Sequence, residues 1–539
     1  MSKSNHKGNH KSNQKETIAN TSIFSLYTML SRLLGLGRDS LKAYAFGTSP
    51  FAVAFDIAFR IPNMLRNLVA EGALSQSFLP IYDQYKHKDV KEAHLASGIV
   101  ITLFTIILSA LSLIVWFLTP VFLPYLLSEL KNDAQITQLT IELTRILFPY
   151  ILLMSLISIY MAIQYSHGLF WAASVGPALL NGVVIFTFGG YLWYAKHFSI
   201  SLPDTEYLVY LFSYATIFAA VVQLVFQVLV TRKHKTSPRF SFMFRHPVVK
   251  NLYNMMLPAS LGSAVQELAQ LIDIFLATSV SYIVPGAVAA LTYSHRLIHL
   301  PMGIFGIAIS TASMPQFSRL FVEKRVDEFK ESIWTAIGLN FFLILPAAIG
   351  MVIYAVPIIG LLFERGEFDK NSTQITAIAL IYYAPGILAF SLQKLFMSSM
   401  YAQKNSKEPA MITIVVLTIN IGLCLVFMRY LYHAGLALAS TVAGFAGCVI
   451  YMQKLNKAGF FSFSRDKLYD VGKIIFINLI LTALMLGMYF YFIDLSYARR
   501  LVIAMPISVA AYLLLAHFFN ISEWHLFLNV FLRVKEKVK

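Results

Sequence analysis

Charged side chains recur in two stretches that are otherwise apolar: Ser31-Arg32-Leu33-Leu34-Gly35-Leu36-Gly37-Arg38-Asp39 and Phe59-Arg60-Ile61-Pro62-Asn63-Met64-Leu65-Arg66, followed by Glu71. An ionised side chain in the middle of a bilayer costs at least ~2.5 kcal/mol, so arginines kept in such segments imply a use. Arg32 and Arg38 are six residues apart, and Asp39 and Lys42 follow, which gathers this charge on one broad face of a helix. In the second stretch Asp56, Arg60, Asn63 and Arg66 recur at three or four residues, and Asp56 to Arg60 has the spacing of an intrahelical ion pair. Lys42, Asp56 and Arg60 could pair with one another or snorkel to the surface. Arg32, Arg38 and Arg66 outnumber the acids left for them, and guanidinium groups in excess call for an anion. Their planar fork matches phosphate oxygens two at a time.

The elements that must position these groups are membrane helices. Of 539 residues, 57% are hydrophobic and only 13% charged, and mean hydropathy is +0.65. Such a composition excludes an ordinary water-soluble enzyme and predicts an all-α polytopic membrane protein. Apolar runs of roughly 20 residues predict about 14 transmembrane helices, near 20–46, 51–84, 94–127, 138–164, 169–195, 206–231, 248–280, 285–318, 331–363, 373–403, 409–430, 433–453, 470–493 and 498–518. The runs are continuous, not alternating with period two, which argues against a barrel.

Loop charge sets the expected orientation. Lys86, Lys88 and Lys91, the run from Arg232 to Arg245, Arg319 to Lys330, Lys404 and Lys407, and Lys454 to Lys473 all fall on the side of the basic termini, with few Lys or Arg opposite. Both termini are therefore expected in the cytoplasm. The net charge of +16 then belongs to loops, the bilayer surface or a polar cavity, and no nucleic-acid partner is expected. Residues 1–18 read as a disordered basic cytoplasmic tail without a removable signal peptide, and 521–539 as a second basic tail. Cys424 and Cys448 lie in apolar runs and predict neither a disulfide framework nor a thiolate metal site.

An internal repeat organises the rest. Phe59-Arg60 returns as His295-Arg296, Pro149-Tyr150-Ile151-Leu152 as Pro385-Gly386-Ile387-Leu388, and Tyr165 as Tyr401, all at one constant offset. Two six-helix lobes follow, 19–232 and 247–455, related by a pseudo-two-fold axis along the membrane normal around a central cavity. Helices 13 and 14, within 470–520, form an appended pair. On this map Arg296 faces the cavity from the second lobe with His295 and His299, which are either cavity-lining polar groups or proton sensors. Asp273 and Asn420 could contribute to a sodium site or form a buried hydrogen-bonded pair. No Walker-type phosphate loop, HExxH zinc helix or hydrolase triad occurs, so neither ATP hydrolysis nor other enzyme chemistry is expected.

The two arginine stretches, together with Ala70-Glu71-Gly72-Ala73-Leu74-Ser75-Gln76-Ser77-Phe78-Leu79-Pro80 and Tyr293-Ser294-His295-Arg296-Leu297-Ile298-His299-Leu300-Pro301-Met302-Gly303, closely resemble the MurJ (MviN) lipid II flippase family of the MOP exporter superfamily. The resemblance covers about residues 20–520. It implies a multi-pass protein of the bacterial cytoplasmic (inner) membrane that moves lipid II, the undecaprenyl-diphosphate-linked disaccharide pentapeptide of peptidoglycan synthesis, from the inner to the outer leaflet by alternating access. It further implies that Arg38, Arg66 and Arg296 hold the diphosphate, with Asp39 positioning an arginine. Arg32 and Glu71 shape the cavity or its gate, Arg60 lines it, and helices 13 and 14 supply a groove for the lipid tail. No cofactor is implied. Sodium or proton coupling is possible, and membrane potential is expected to contribute; membrane lipids and cell-wall synthesis proteins are the further partners. The family often has an acid at the position of Val53, where this chain has Asp56 one turn on, and some relatives bind sodium with an acid one turn after the Asn420 position, where this chain has Cys424. The alternatives are a flippase for another polyprenyl-diphosphate oligosaccharide of O-antigen type, a cation-coupled drug antiporter, and a non-transporting scaffold.

Overall fold

Prolines and glycines decide where this apolar chain stops being helical. A computed structural model describes residues 27, 29–68, 74–126, 134–201, 203–281 and 283–525. Helix α1 (29–46) ends at Gly47, whose φ of 55° lies in the left-handed region that a side chain disfavours. The turn closes with a Gly47 N–H to Ala43 carbonyl bond of 2.8 Å. Pro50 then occupies the first turn of α2 (Pro50–Arg66), where its missing N–H costs nothing. The chain continues with α3 (Ser75–Lys88), α4 (Val90–Leu126), α5 (Ala134–Leu147), α6 (Tyr150–Ser166), α7 (Phe170–Val184), α8 (Gly190–His197) and α9 (Thr205–Lys233). Then come α10 (Pro247–Ser281), α11 (Ala287–Pro301), α12 (Ile307–Val322), α13 (Val326–Ile353), α14 (Ala355–Phe363), α15 (Lys370–Tyr383) and α16 (Gly386–Ala402), and last α17 (Lys407–Lys457), α18 (Arg465–Tyr491) and α19 (Tyr497–Phe518). No strand occurs among the described residues.

Two compact units result, Met1–Phe275 and Leu276–Lys539. The division falls inside α10. The first turns of α10 bury Val248 and Leu252 in the core of unit 1, against Ile99, Phe148 and Tyr160, which ties that end of the helix to the first unit.

Within unit 1, α2 packs on α5 and α6, α3 on α4 and α6, and α9 on α6 and α7. Phe212 is the hinge of an aromatic cluster, with ring centroids 5.6 Å from Phe46, 5.1 Å from Phe55 and 5.0 Å from Phe188. Unit 2 repeats the plan: α11 packs on α15, α12 on α13 and α16, and α16 on α17. The start of α13 at Val326 matches that of α4 at Val90, α15 at Lys370 matches α5 at Ala134, and α16 at Gly386 matches α6 at Tyr150, at the sequence offset of the repeat. Pro149 and Pro385 cap the corresponding second halves, and α15 and α16 meet at a bend of 42°. α18 and α19 pack on each other and on α13 and α14, fixed by Tyr354 Oη to the Met485 carbonyl at 3.0 Å and Tyr512 Oη to the Phe342 carbonyl at 2.7 Å.

Nine helices among the described residues are long and apolar enough to cross a bilayer, and ten if the bent pair α15–α16 is one span. This is below the roughly fourteen expected. The arginine helices escape such a count because of their own charges: α1 carries Arg32, Arg38, Asp39 and Lys42, and α2 is short and carries Asp56, Arg60 and Arg66. α17 counts once although it breaks at Tyr432, where φ is 51° and ψ −128°. Along α4, Leu113, Ile114, Phe117, Leu118 and Val121 are exposed. A contiguous apolar face of this kind is tolerated in lipid and not in water.

Candidate substrate-binding residues

The tight turn at Gly47 returns α2 against α1 and so brings two charged faces together. Lys42 and Asp56, fourteen residues apart, form a salt bridge across the turn, their side chains only 5% and 9% exposed. The Lys42 ammonium also lies 5.5 Å from the centroid of the Phe55 ring. Asp56 Oδ2 is buried with no hydrogen-bond partner among the described residues, while the charge of Arg60, one turn on, acts on the same carboxylate. Of the two uses open to these groups, Lys42 and Asp56 therefore take mutual pairing. The helical spacing of Asp56 pointed to Arg60 alone; the signal for Lys42 was the Gly-Thr-Ser-Pro turn at 47–50, which makes residues equidistant from it into neighbours.

Arg38 and Arg66 are held differently. Arg38 donates through both Nε, at 3.1 Å, and Nη2, at 2.8 Å, to Asp39 Oδ1. Arg66 donates from Nε to Asn63 Oδ1 at 3.1 Å and from Nη2 to Asn67 Oδ1 at 2.5 Å. Both guanidinium groups are half-buried, and carboxylate or amide oxygens fix their planes. Two neutral amides orient the Arg66 guanidinium, a planar group whose fork suits oxyanion oxygens. Arg32 is half-buried on α1, and Glu71 lies outside the described residues.

In unit 2, α11 carries the repeat-related residues. Arg296 and His299 are exposed on that unit and His295 is half-buried. The His295 and His299 rings meet edge to face at 4.4 Å, and Tyr383 approaches His295 at 5.6 Å. Asp273 lies in α10, in unit 1, with its side chain outside the described residues. Asn420 is buried in unit 2, where the Cys424 thiol reaches its Oδ1 at 3.7 Å. Among the described residues no group of three or more His, Cys, Asp and Glu could hold a metal ion. Cys424 and Cys448 are buried free thiols that pack within unit 2.

Outside the membrane-crossing segments, the sequence reading missed a polar network between α3 and the α6–α7 turn. Tyr82 Oη bonds His167 Nε2 at 3.0 Å, and Lys86 and Asp83 both bond Ser166. Burial, with the Lys86 charge beside it, pushes the His167 pKa down to about 4, so the ring is neutral at ordinary pH.

Comparison with known proteins fits this geometry. The family model described as "Lipid II flippase MurJ" matches residues 42–510. The chain is 31% identical to the probable lipid II flippase MurJ of Rickettsia prowazekii, over 78% of this chain and 80% of that protein. It is 30% identical to the lipid II flippase MurJ of Burkholderia cenocepacia, over 85% and 87%. A solved structure of lipid II flippase MurJ in an inward closed conformation superposes with a TM-score of 0.75 and 25% identity, covering 92% of this chain and 98% of that one. An inward-facing multidrug resistance MATE family transporter of the MOP superfamily, 15% identical with a TM-score of 0.58 over 82% and 98% of the two chains, shares the fold. With a matching family model over most of its length and relatives alike across four-fifths of theirs, the chain belongs to the MurJ family of lipid II flippases.

Proposed function

We propose that this chain is a transporter that carries lipid II from the inner to the outer leaflet of the bacterial cytoplasmic membrane, with both termini in the cytoplasm. The observation that carries the reading is the pair Arg38 and Arg66, oriented by Asp39, Asn63 and Asn67 on α1 and α2. A lipid diphosphate offers the two negative groups such donors are shaped for. Arg32, Arg60 and Arg296 add positive charge to the same task from their own elements, with His295 and His299 as polar lining. The polyprenyl tail needs no polar cavity; the α18–α19 pair gives it mostly apolar surface, in an open pocket of about 560 Å³ lined by Tyr469, Phe476, Phe518 and Phe519 together with Lys473 and Asn520. No covalent bond changes, so the step is transport and not catalysis. A potential negative inside favours return of the emptied, positively charged site at ~2.3 kcal/mol per charge per 100 mV.

A drug antiporter is disfavoured because it would need a lone acid in an apolar cavity, and here arginines predominate. An O-antigen-type carrier would use the same diphosphate contacts, but the named relatives are lipid II flippases. The test is depletion of the protein in its host, with lipid II on the outer leaflet measured by an impermeant reagent. Externally accessible lipid II should fall and inner-leaflet lipid II accumulate. Undiminished outer lipid II in a host without a second flippase contradicts the proposal.

A further inference from the structure

The segment between α9 and α10 combines features that the transport site does not use. Its sequence, Arg232-Lys233-His234-Lys235-Thr236-Ser237-Pro238-Arg239-Phe240-Ser241-Phe242-Met243-Phe244-Arg245-His246, interleaves bases with large apolar side chains. Lys233, Lys235, Arg239 and Arg245 are all exposed, and so are Phe240 at 67%, Phe242 at 75% and Met243 at 56%. A free loop would turn such side chains inward, but this one is pinned so that it cannot. Its first residues fold back on the helix end, Thr236 N–H donating to the Thr231 carbonyl at 3.1 Å, and the Arg239 N–H donates to the His94 carbonyl of α4 at 2.8 Å. His246 meets Glu92 at 2.9 Å, and Phe244 alone of the three phenylalanines packs on the core of unit 1. Gly98 permits the docking, since a Cβ there would stand 1.7 Å from the Arg239 carbonyl oxygen. Phe240, Phe242 and Met243 are thus exposed on a fixed backbone, in a segment whose five Lys and Arg, Arg232 among them, are exposed too.

We infer that this segment is a membrane-surface anchor that binds the anionic phospholipid headgroups of the leaflet it adjoins. It leaves a membrane-crossing helix, Thr205–Lys233, and folds back within a few residues of its end, so it stays at the bilayer surface. Aromatic and methionine side chains enter the headgroup boundary while the surrounding Lys and Arg meet lipid phosphates. This rests on the proposed orientation, in which the loop lies on the cytoplasmic side, against the leaflet where anionic lipid attracts basic segments. The interleaving of exposed apolar tips with cations favours a lipid surface over an acidic protein, which would pair the charges and leave the tips in water.

The test uses the full-length protein with Ser241→Cys, the native Cys424 and Cys448 being buried. It is placed in nanodiscs of phosphatidylcholine alone or mixed with phosphatidylglycerol, and its labelling by a water-soluble maleimide is timed. Anionic lipid should slow labelling roughly tenfold. The further changes Lys233→Gln, Lys235→Gln, Arg239→Gln and Arg245→Gln should abolish that difference. The protection of the parent is read by comparing one protein in two lipids, and the Gln variant counts only where its transport of lipid II matches the parent's, which shows that it folds. Equal rates for the parent in both discs overturn the inference. Protection present in native membranes but absent from anionic discs assigns the surface to a protein partner and overturns it as well.

Discussion

Replacing Asp56 separates a structural role for the Lys42–Asp56 pair from a role in transport. With both side chains under a tenth exposed, removing one charge strands the other in a low-dielectric site, a change that costs about 3–5 kcal/mol. Asp56→Asn keeps a carbonyl oxygen where Lys42 now bonds Oδ1, and the Phe55 ring 5.5 Å from the ammonium still attracts it, so the loss should lie near the lower end, about 3 kcal/mol. Asp56→Leu also removes the acceptor and should approach about 5 kcal/mol. The double variant Lys42→Met/Asp56→Leu removes both partners of the pair, with Arg60 alone still deprived of the carboxylate, and should recover most of the stability that Asp56→Leu loses. The assay is denaturant unfolding of the detergent-solubilised protein, beside transport by the reconstituted protein. A single variant as stable as the parent, or a double variant that falls as far as Asp56→Leu, refutes the account of the pair as a mutual neutralisation. A stable double variant that cannot transport would move the pair into the substrate site.

Three further outcomes follow from single residues. His167 has its pKa lowered to about 4 from an ordinary 6.5, so the unfolded chain takes up its proton first as pH falls; the stability this group contributes is complete above pH 6.5 and lost progressively down to pH 4. Unfolding measured across that range should show a shallower pH slope for His167→Gln than for the parent, and parallel slopes contradict the assignment. Gly98→Ala would press a Cβ onto backbone, the Arg239 carbonyl, at 1.7 Å, so the 236–246 segment must lift; hydrogen exchange there should rise at an overall cost of about 1–3 kcal/mol, and unchanged exchange would mean that the contact is not tight. Tyr432 holds φ 51° and ψ −128° in the break of α17, a strained region for a residue with a side chain. Tyr432→Gly should therefore stabilise the protein by about 1 kcal/mol, and a loss in denaturant unfolding refutes strain at that residue.

Much of the helical plan was legible because lipid removes ambiguity: an apolar run must be helical to satisfy its own backbone. The runs expected at 409–430 and 433–453 flank Tyr432, the break in α17, and the repeat offset read from Pro149 and Pro385 reappears in the helix boundaries. Breaks inside runs showed in the sequence as prolines, Pro149 and Pro385 among them, and not in hydropathy. The run 138–164 divides at Phe148-Pro149, between α5 and α6. Hydropathy averages over such breaks, because side chains on both sides remain apolar. The charged faces of α1 and α2 could be read as a cluster, yet their internal pairing depended on a turn that spacing along one helix does not register. The division inside α10 depends on packing of Val248 and Leu252, which no local pattern encodes.

The most direct test of the central claim is transport of fluorescent lipid II by the purified protein in liposomes, comparing the parent with Arg38→Ala and Arg296→Ala. The account predicts lipid II movement by the parent, and its loss in both variants while each still folds and inserts. Movement at the parent's rate with both arginines replaced would contradict it.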